Sequence, residues 1–147
     1  MDIDRVFAVV GSALDAQRQR LNIIAGNLAN AESTRTPNGG PYIRRDVVFQ
    51  TISPEQSFHS VFNSAFGNSS GPSGVKVIDI IQDSRPLRQV YEPNHPDADE
   101  KGYLHLPNVN PIEEMVNLMS ATRAYEASIA VLESGKTMTL RALEMGR

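Results

Sequence analysis

The chain has 147 residues, contains no cysteine and carries a formal net charge of −3 at pH 7. This length suits one ordinary domain with a core, and the lack of cysteine excludes disulfides, thiolate metal sites and cysteine catalysis. The weakly acidic balance predicts no binding of nucleic acid, since the basic pairs Arg18/Arg20 and Arg44/Arg45 are expected on solvated faces.

The N-terminal residues Met-Asp-Ile-Asp-Arg do not look like an export or membrane segment. A secretory signal begins with basic residues and continues into an unbroken apolar run, and neither feature is present. No stretch approaches the roughly 18 apolar residues of a membrane span. We therefore expect no direct membrane insertion, and export, if it occurs, without a cleaved signal peptide.

Residues 1–30 are predicted to form the first helix. Apolar residues recur at alternating spacings of four and three, with Gln17 in the one vacant position. This a/d heptad pattern produces a narrow apolar stripe, which favours pairing with another helix over packing on a broad sheet. The predicted N-terminal seam consists of Phe7, Val10, Leu14, Leu21, Ile24 and Leu28, with Ile3 ahead of it.

The same helix has weak intrinsic helix propensity. Gly11 and Gly26 each cost about 1 kcal/mol relative to alanine inside a helix. Asn22, Asn27 and Asn30 add smaller penalties, because their side chains compete for backbone hydrogen bonds. We expect this helix to form fully only when it is packed.

Residues 31–108 are predicted to form a β-rich insert with loops. Two segments rich in β-branched and aromatic residues are strand candidates, and two shorter ones are weaker candidates. Clusters of Pro, Gly and Asn predict loops at residues 37–41 and 92–102. The strand candidates are Tyr42–Thr51 and Val75–Ile81, then Arg85–Tyr91 and Tyr103–Leu106.

Residues 53–74 have two alternative interpretations. Their many serines are typical of a flexible loop. The phenylalanines at every fourth position, behind a possible capping box, equally favour a short helix that docks three rings. The residues concerned are Ser53 and Gln56 for the box and Phe58, Phe62 and Phe66 for the rings.

Residues 109–147 are predicted to form the second long helix. Asn110 is suited to cap its N-terminus and Pro111 to occupy its first position. Glu113 and Glu114 are suited to interact with the helix dipole. This role at the helix start is expected to explain both carboxylates fully. A second heptad seam follows. The predicted C-terminal seam consists of Met115, Leu118, Tyr125, Ile129 and Leu132, with Thr122, Lys136, Thr139 and Leu143 at the other heptad positions.

These elements predict an α+β fold. The chain would rise in one helix, form the insert and return in the other helix, so that the terminal helices pair as an antiparallel, coiled-coil-like stalk. At 1.5 Å per residue the helices would be about 40 Å and about 52 Å long. We expect three regions: the N-terminal helix at 1–30, the insert at 31–108 and the C-terminal helix at 109–147.

No arrangement of residues predicts catalysis or a cofactor. His95, Asp97, Asp99 and His105 lie within eleven residues and could be imagined as metal ligands, and residues 97–102 start like a calcium loop. The pattern then fails, because a lysine and an asparagine replace the required ligands. We expect a polar turn here, and neither a metal site nor a catalytic residue; no nucleophile elbow, P-loop or zinc-protease motif is present.

Three stretches resemble the family of flagellar rod and hook proteins. The first is Leu14-Asp-Ala-Gln-Arg-Gln-Arg-Leu21-Asn-Ile-Ile-Ala-Gly-Asn-Leu28-Ala-Asn30-Ala-Glu-Ser-Thr, which is similar to the N-terminal signature of the family. The second runs from Asn108 to Tyr125 and is similar to its C-terminal signature. Between them, residues 35–42 and 91–103 resemble the proximal rod members in particular.

This resemblance implies a structural subunit of the flagellar proximal rod, which transmits torque from the membrane ring to the distal rod and hook. It implies export through the flagellar type III apparatus and assembly in the periplasm. The implied partners are other rod proteins, copies of the chain itself, and membrane-ring and export-gate components at the rod base.

Two alternative functions share the same sequence features. A soluble coiled-coil adaptor or export chaperone would use both seams for a cytoplasmic partner. A small hydrolase or metal-dependent enzyme would use His95, Asp97, Asp99 and His105.

Overall fold

The structure is a computed structural model, and it describes residues 3–37, 39–52 and 74–146. Within these residues two helices enclose four strands, so the fold is α+β as predicted. The elements are α1 (Ile3–Ala29), β1 (Arg45–Ile52), β2 (Gly74–Gln82), β3 (Arg88–Tyr91), β4 (Tyr103–Leu106) and α2 (Pro111–Met145). The two interpretations of residues 53–74 concern a segment that lies, up to residue 73, outside the described residues.

The predicted start of the second helix is confirmed. The Asn110 side chain accepts a hydrogen bond of 3.1 Å from the Ile112 amide, and its backbone carbonyl accepts one of 3.0 Å from the Glu114 amide. Pro111 occupies the first helical position, where its missing N–H leaves no helical bond unmade. No helix in the described ranges is long and apolar enough to cross a membrane.

The strands form two separate two-stranded sheets, β1 with β2 and β3 with β4. β3 and β4 are antiparallel, with Arg88 opposite Leu106 and Tyr91 opposite Tyr103. The rings of the latter pair meet edge to face, 5.4 Å apart. β1 begins at Arg45, three residues later than predicted, because the backbone amide of Arg44 donates to a side chain and not to a neighbouring strand.

The chain contacts divide the molecule into two compact units, each assembled from separate segments. The first contains residues 1–18, 49–78 and 123–147. In this unit the start of β2 lies against α1: the Ser12 hydroxyl accepts a hydrogen bond of 3.1 Å from the Val75 amide. Gly74 is buried there, and a side chain does not fit, because a Cβ at this position would overlap the Ser12 hydroxyl.

The two helices also touch within the first unit. A Cβ added to Gly135 of α2 would lie 3.4 Å from Cε1 of Phe7 in α1. Gly135, a weak point for helix propensity, therefore lets α2 approach the Phe7 ring closely. The loss of propensity is about 1 kcal/mol relative to alanine.

The second unit contains residues 19–48 and 79–122 and holds most of the buried apolar side chains. They come from both helices, from β4 and from the segments beside them. The set is Ile24, Ala31, Leu104, Val109 and Ala121. Three polar side chains, Asn27, Arg44 and Glu114, are buried among the residues of the same unit.

The predicted division into 1–30, 31–108 and 109–147 follows the secondary-structure elements. The boundaries of the compact units instead fall inside both helices and inside β1 and β2, so this division stays a prediction.

Candidate functional site

Asn27 is the centre of a buried polar network in the second unit. Its side chain is 0% exposed. Nδ2 donates to the Arg45 carbonyl at 2.8 Å and to Oε2 of Glu114 at 3.0 Å. Oδ1 accepts from the Tyr42 hydroxyl at 2.9 Å and from the Arg45 amide at 3.0 Å. All four hydrogen-bonding positions of the amide are therefore used.

Glu114 is a completely buried carboxylate, with 0% exposure. Its Oε2 accepts from Asn27, and its Oε1 accepts from Nε of Arg44 at 2.8 Å. The expectation that a helix-start role explains this residue fully was wrong. Glu114 does lie in the first turn of α2, where the dipole favours negative charge, but it also joins two segments that are 70 and 87 residues away in sequence.

Arg44 supplies the positive charge of the network. The expectation of a solvated face for Arg44 was wrong, because its side chain is only 10% exposed. Besides Glu114, it reaches Asp46 at 3.0 Å and Asp83 at 3.5 Å. Burial by itself lowers the pKa of Arg44, but the hydrogen bonds that its guanidinium donates to Asp46 and Glu114 outweigh burial and raise the pKa overall.

Asn108 and Asp83 tie the backbone around Arg44. Oδ1 of Asn108 accepts from the Arg44 amide at 2.8 Å, and its Nδ2 donates to the carbonyls of Asp83 and Arg85 at 3.2 and 3.0 Å. The backbone N–H of Arg85, together with its guanidinium, lowers the pKa of the Asp83 carboxyl. These bonds hold the end of β2 beside the start of β1.

Tyr42 closes the network on one side. Its hydroxyl donates to Asn27, and the guanidinium of Arg45 lies 5.7 Å from the centre of its ring. Burial raises the pKa of Tyr42, although the Arg45 charge opposes this. The hydroxyl therefore remains a proton donor over the physiological pH range.

The N-terminal seam residues lie on the partly covered side of α1. Val10 and Ile24 are buried. The other four, Phe7, Leu14, Leu21 and Leu28, are half-buried. Whether this stripe also serves assembly stays a prediction at this point.

The C-terminal seam residues divide into two groups. Leu118, Tyr125 and Leu132 are half-buried, whereas Met115 and Ile129 are 47% and 36% exposed. The other covered positions lie one residue before the heptad positions 115, 122, 129 and 136. They are Glu114 and Ala121, which are buried, and Ser128 and Gly135, which are half-buried. Small residues and one ion-paired carboxylate thus occupy the covered face, and Met115 and Ile129 stand beside it.

The polar segment at residues 92–102 is a turn fixed by Asp99. Its carboxylate accepts from the backbone amides of Lys101 and Tyr103 at 2.9 and 2.8 Å, and these bonds lower its pKa. His105 lies 3.9 Å from the same carboxylate. Asp97 instead accepts from the Thr34 hydroxyl at 2.8 Å. Within the described ranges no three His, Asp or Glu side chains gather in a way that could hold a metal ion.

Sequence reasoning missed the network because each member had a simpler local explanation. One signal was available for Asn27: it directly precedes Leu28 and follows Ile24 by three residues, so it lies on the covered stripe of α1. A polar residue on such a stripe requires partners. No comparable signal existed for Arg44, whose burial depends on contacts far apart in sequence.

Comparisons with known proteins agree along the whole chain. Residues 7–35 match the family described as "Flagella basal body rod protein", and residues 100–145 match "Flagellar basal body rod FlgEFG protein C-terminal". The flagellar basal-body rod protein FlgC of Escherichia coli O6:H1 is 46% identical over 147 residues, covering 100% of both chains. The FlgC proteins of Salmonella typhimurium (44%, 100% of both chains) and Bacillus subtilis (43%, 95% of both chains) are similar.

Proposed function

The chain belongs to the FlgC family of flagellar basal-body rod proteins and is a structural subunit of the proximal rod, and we propose that it polymerises with copies of itself and other rod proteins into the shaft that transmits torque to the distal rod and hook. The observation that carries this function is the identity of 46% with a FlgC protein over the full length of both chains. The buried network and both helices lie within the matched length.

The terminal helices are proposed to pair antiparallel as the stalk of the subunit. Two contacts support this pairing, one within each unit. Asn27, near the end of α1, bonds to Glu114, near the start of α2. Phe7, near the start of α1, touches Gly135, far along α2. This order is the one that antiparallel helices produce.

The outer face of α2 is proposed to contact neighbouring subunits. Large apolar residues at i, i+3, i+4 and i+7 form a stripe there: Ile112, Met115, Val116 and Met119, which are 70, 47, 56 and 54% exposed. Contiguous exposed apolar surface of this kind is typical of interaction sites. The exposed seam residue Ile129 lies further along the helix. Two of the five predicted C-terminal seam residues, Met115 and Ile129, are thus exposed in the described part of the chain, which favours a role between subunits.

The buried network is proposed to act as a rigid joint between the helices and the strands of the second unit. A polar network whose members are fully satisfied rigidifies its surroundings and allows one arrangement only. A subunit that transmits torque requires such a joint, because a compliant one would dissipate the rotation.

The chain is proposed to be non-catalytic and to work in the periplasmic part of the basal body, after export without a cleaved signal peptide. Its direct partners would be other rod proteins, with membrane-ring and export-gate components at the rod base. The adaptor alternative places the same chain in the cytoplasm, so its location distinguishes the two functions.

The test is complementation of a bacterial strain that has lost motility because its own copy of this gene is deleted. The wild-type chain is expected to restore swimming and to be recovered in purified basal bodies. Leu21→Asp, which places a charge in the N-terminal seam, is expected to abolish both. Restored swimming with Leu21→Asp would contradict the seam assignment, whereas a wild-type chain found only in the cytoplasm would contradict the rod function.

A further inference from the structure

Gln17 has an unusual environment in the N-terminal seam. It is the polar residue in an otherwise apolar heptad stripe, and its side chain is half-buried. Within residues 3–37, 39–52 and 74–146, its Oε1 is the one side-chain nitrogen or oxygen that is buried without a hydrogen-bond partner. Buried polar atoms are nearly always paired, so this exception requires an explanation.

Asn27 provides the contrast on the same helix. That side-chain amide is also buried, and all four of its hydrogen-bonding positions are used. The fold therefore satisfies a buried amide where the amide serves the single chain. At Gln17 the fold provides no partner for the amide oxygen, and this unpaired acceptor destabilises the isolated subunit.

A leucine would suit position 17 better in an isolated subunit. It would complete the apolar stripe formed by Leu14 and Leu21 and leave no acceptor unpaired. A polar residue at one seam position is a known means of selecting a partner and a register between helices, at a cost in stability. Because the last side-chain torsion of glutamine is broad, its amide can turn toward a neighbour without leaving a rotamer minimum.

We propose that Gln17 is a specificity-determining residue of rod assembly, whose amide oxygen accepts a hydrogen bond from a donor side chain of an adjacent rod subunit. The proposal rests on the function of the chain as a rod subunit. It predicts opposite effects on the isolated subunit and on the assembled rod, which a purely structural role does not produce.

The test compares Gln17→Leu with the wild type in two measurements. The midpoint of thermal unfolding of the purified subunit is expected to rise by about 2–4 °C, since an unpaired buried acceptor is removed. Recovery of the chain in basal bodies of the complemented deletion strain is expected to fall about tenfold, the equivalent of one hydrogen bond. Gln19→Leu, the same change at an exposed position of the same helix, is the control and should alter neither quantity by a comparable amount.

Gln17→Met preserves the unbranched side chain and serves as the second variant should Gln17→Leu fail to fold. Wild-type recovery of either folded variant in basal bodies would overturn the proposal. A lower unfolding temperature would also overturn it, because Gln17 would then have a stabilising role within its own chain. Failure of the wild-type chain to enter basal bodies would instead contradict the proposed function itself.

Discussion

Asn27 and Glu114 are joined by a hydrogen bond of 3.0 Å between two side chains that are both fully buried, although they are 87 residues apart in sequence. The bond links the last turn of α1 to the first turn of α2. Neither group has access to water that could replace the other, so the loss of either leaves a buried polar atom unpaired.

Replacing Asn27 by alanine is expected to destabilise the protein strongly. The change removes four hydrogen bonds and leaves the Arg45 amide and the Glu114 carboxylate without that partner. We expect a loss of about 3 kcal/mol or more in the free energy of unfolding, measured by urea denaturation followed by circular dichroism. Asn22→Ala, at an exposed position on the same helix, is the control and should be neutral or slightly stabilising. Equal effects of the two changes would contradict the role assigned to Asn27.

The Arg44–Glu114 pair is expected to show coupling in a double-mutant cycle. Arg44→Met leaves a fully buried carboxylate without its cation and should cost about 3–5 kcal/mol. Glu114→Leu should cost less, because Arg44 keeps Asp46 and Asp83. The double variant should be more stable than the sum of the single losses predicts, by about 1 kcal/mol or more. Strict additivity would show that the two charges do not interact in the folded protein.

Two glycine-to-alanine changes are expected to have opposite effects. Gly74→Ala should destabilise the first unit, because the added Cβ would overlap the Ser12 hydroxyl and because φ is +151°. Gly11→Ala places a Cβ where no atom lies within 4 Å, and it should stabilise α1 by about 1 kcal/mol. Thermal unfolding of the two variants measures both effects, and destabilisation by Gly11→Ala would indicate an unrecognised contact on that face.

Acid should weaken the protein partly through Asp83. The Arg85 backbone amide lowers the pKa of this carboxyl in the folded state below the ordinary value of 3.8. The unfolded chain therefore binds the proton first, and the stabilising contribution, complete above about pH 4, is lost as pH falls through the lower folded-state pKa. The free energy of unfolding, measured by urea denaturation between pH 3 and about pH 6, should decrease less steeply toward low pH for Asp83→Asn than for the wild type.

Arg85→Met is the matched control for this pH dependence. It removes the guanidinium but retains the backbone N–H that bonds to Asp83. The free energy of unfolding of Arg85→Met should therefore decrease more steeply toward low pH than that of Asp83→Asn. An unchanged pH profile in Asp83→Asn would contradict the assignment.

A charge on the outer face of α2 is expected to affect assembly more than folding. Met119 is 54% exposed, so Met119→Glu should change the free energy of unfolding by less than about 0.5 kcal/mol. In the deletion strain it should abolish swimming, because the charge would have to be buried between subunits. Ser120→Glu adds the same charge outside the apolar stripe and should be tolerated. Normal swimming with Met119→Glu would exclude this stripe from the subunit interface.

The sequence by itself determined the elements and the family. The heptad spacing predicted both long helices, and Asn110-Pro111 predicted where α2 begins. Enrichment in β-branched and aromatic residues predicted β1 and β2 to within a few residues at each end. These features are local, since capping, helix periodicity and strand propensity depend on residues within a turn or two of each other. The terminal signatures likewise identified the rod family without reference to a fold.

Only the tertiary structure decided which side chains are buried and by what. Arg44 and Glu114 have ordinary local explanations, and their burial follows from a meeting of segments 70 residues apart. On α2 the heptad residues Leu118, Tyr125 and Leu132 are half-buried, yet the covered face also takes Ala121 and Gly135 in preference to Met115 and Ile129. Helix periodicity shows which residues favour burial, but the size of the side chains decides how closely a second helix can approach. The small residues therefore face the chain's own interior, and the larger Met115 and Ile129 stay exposed.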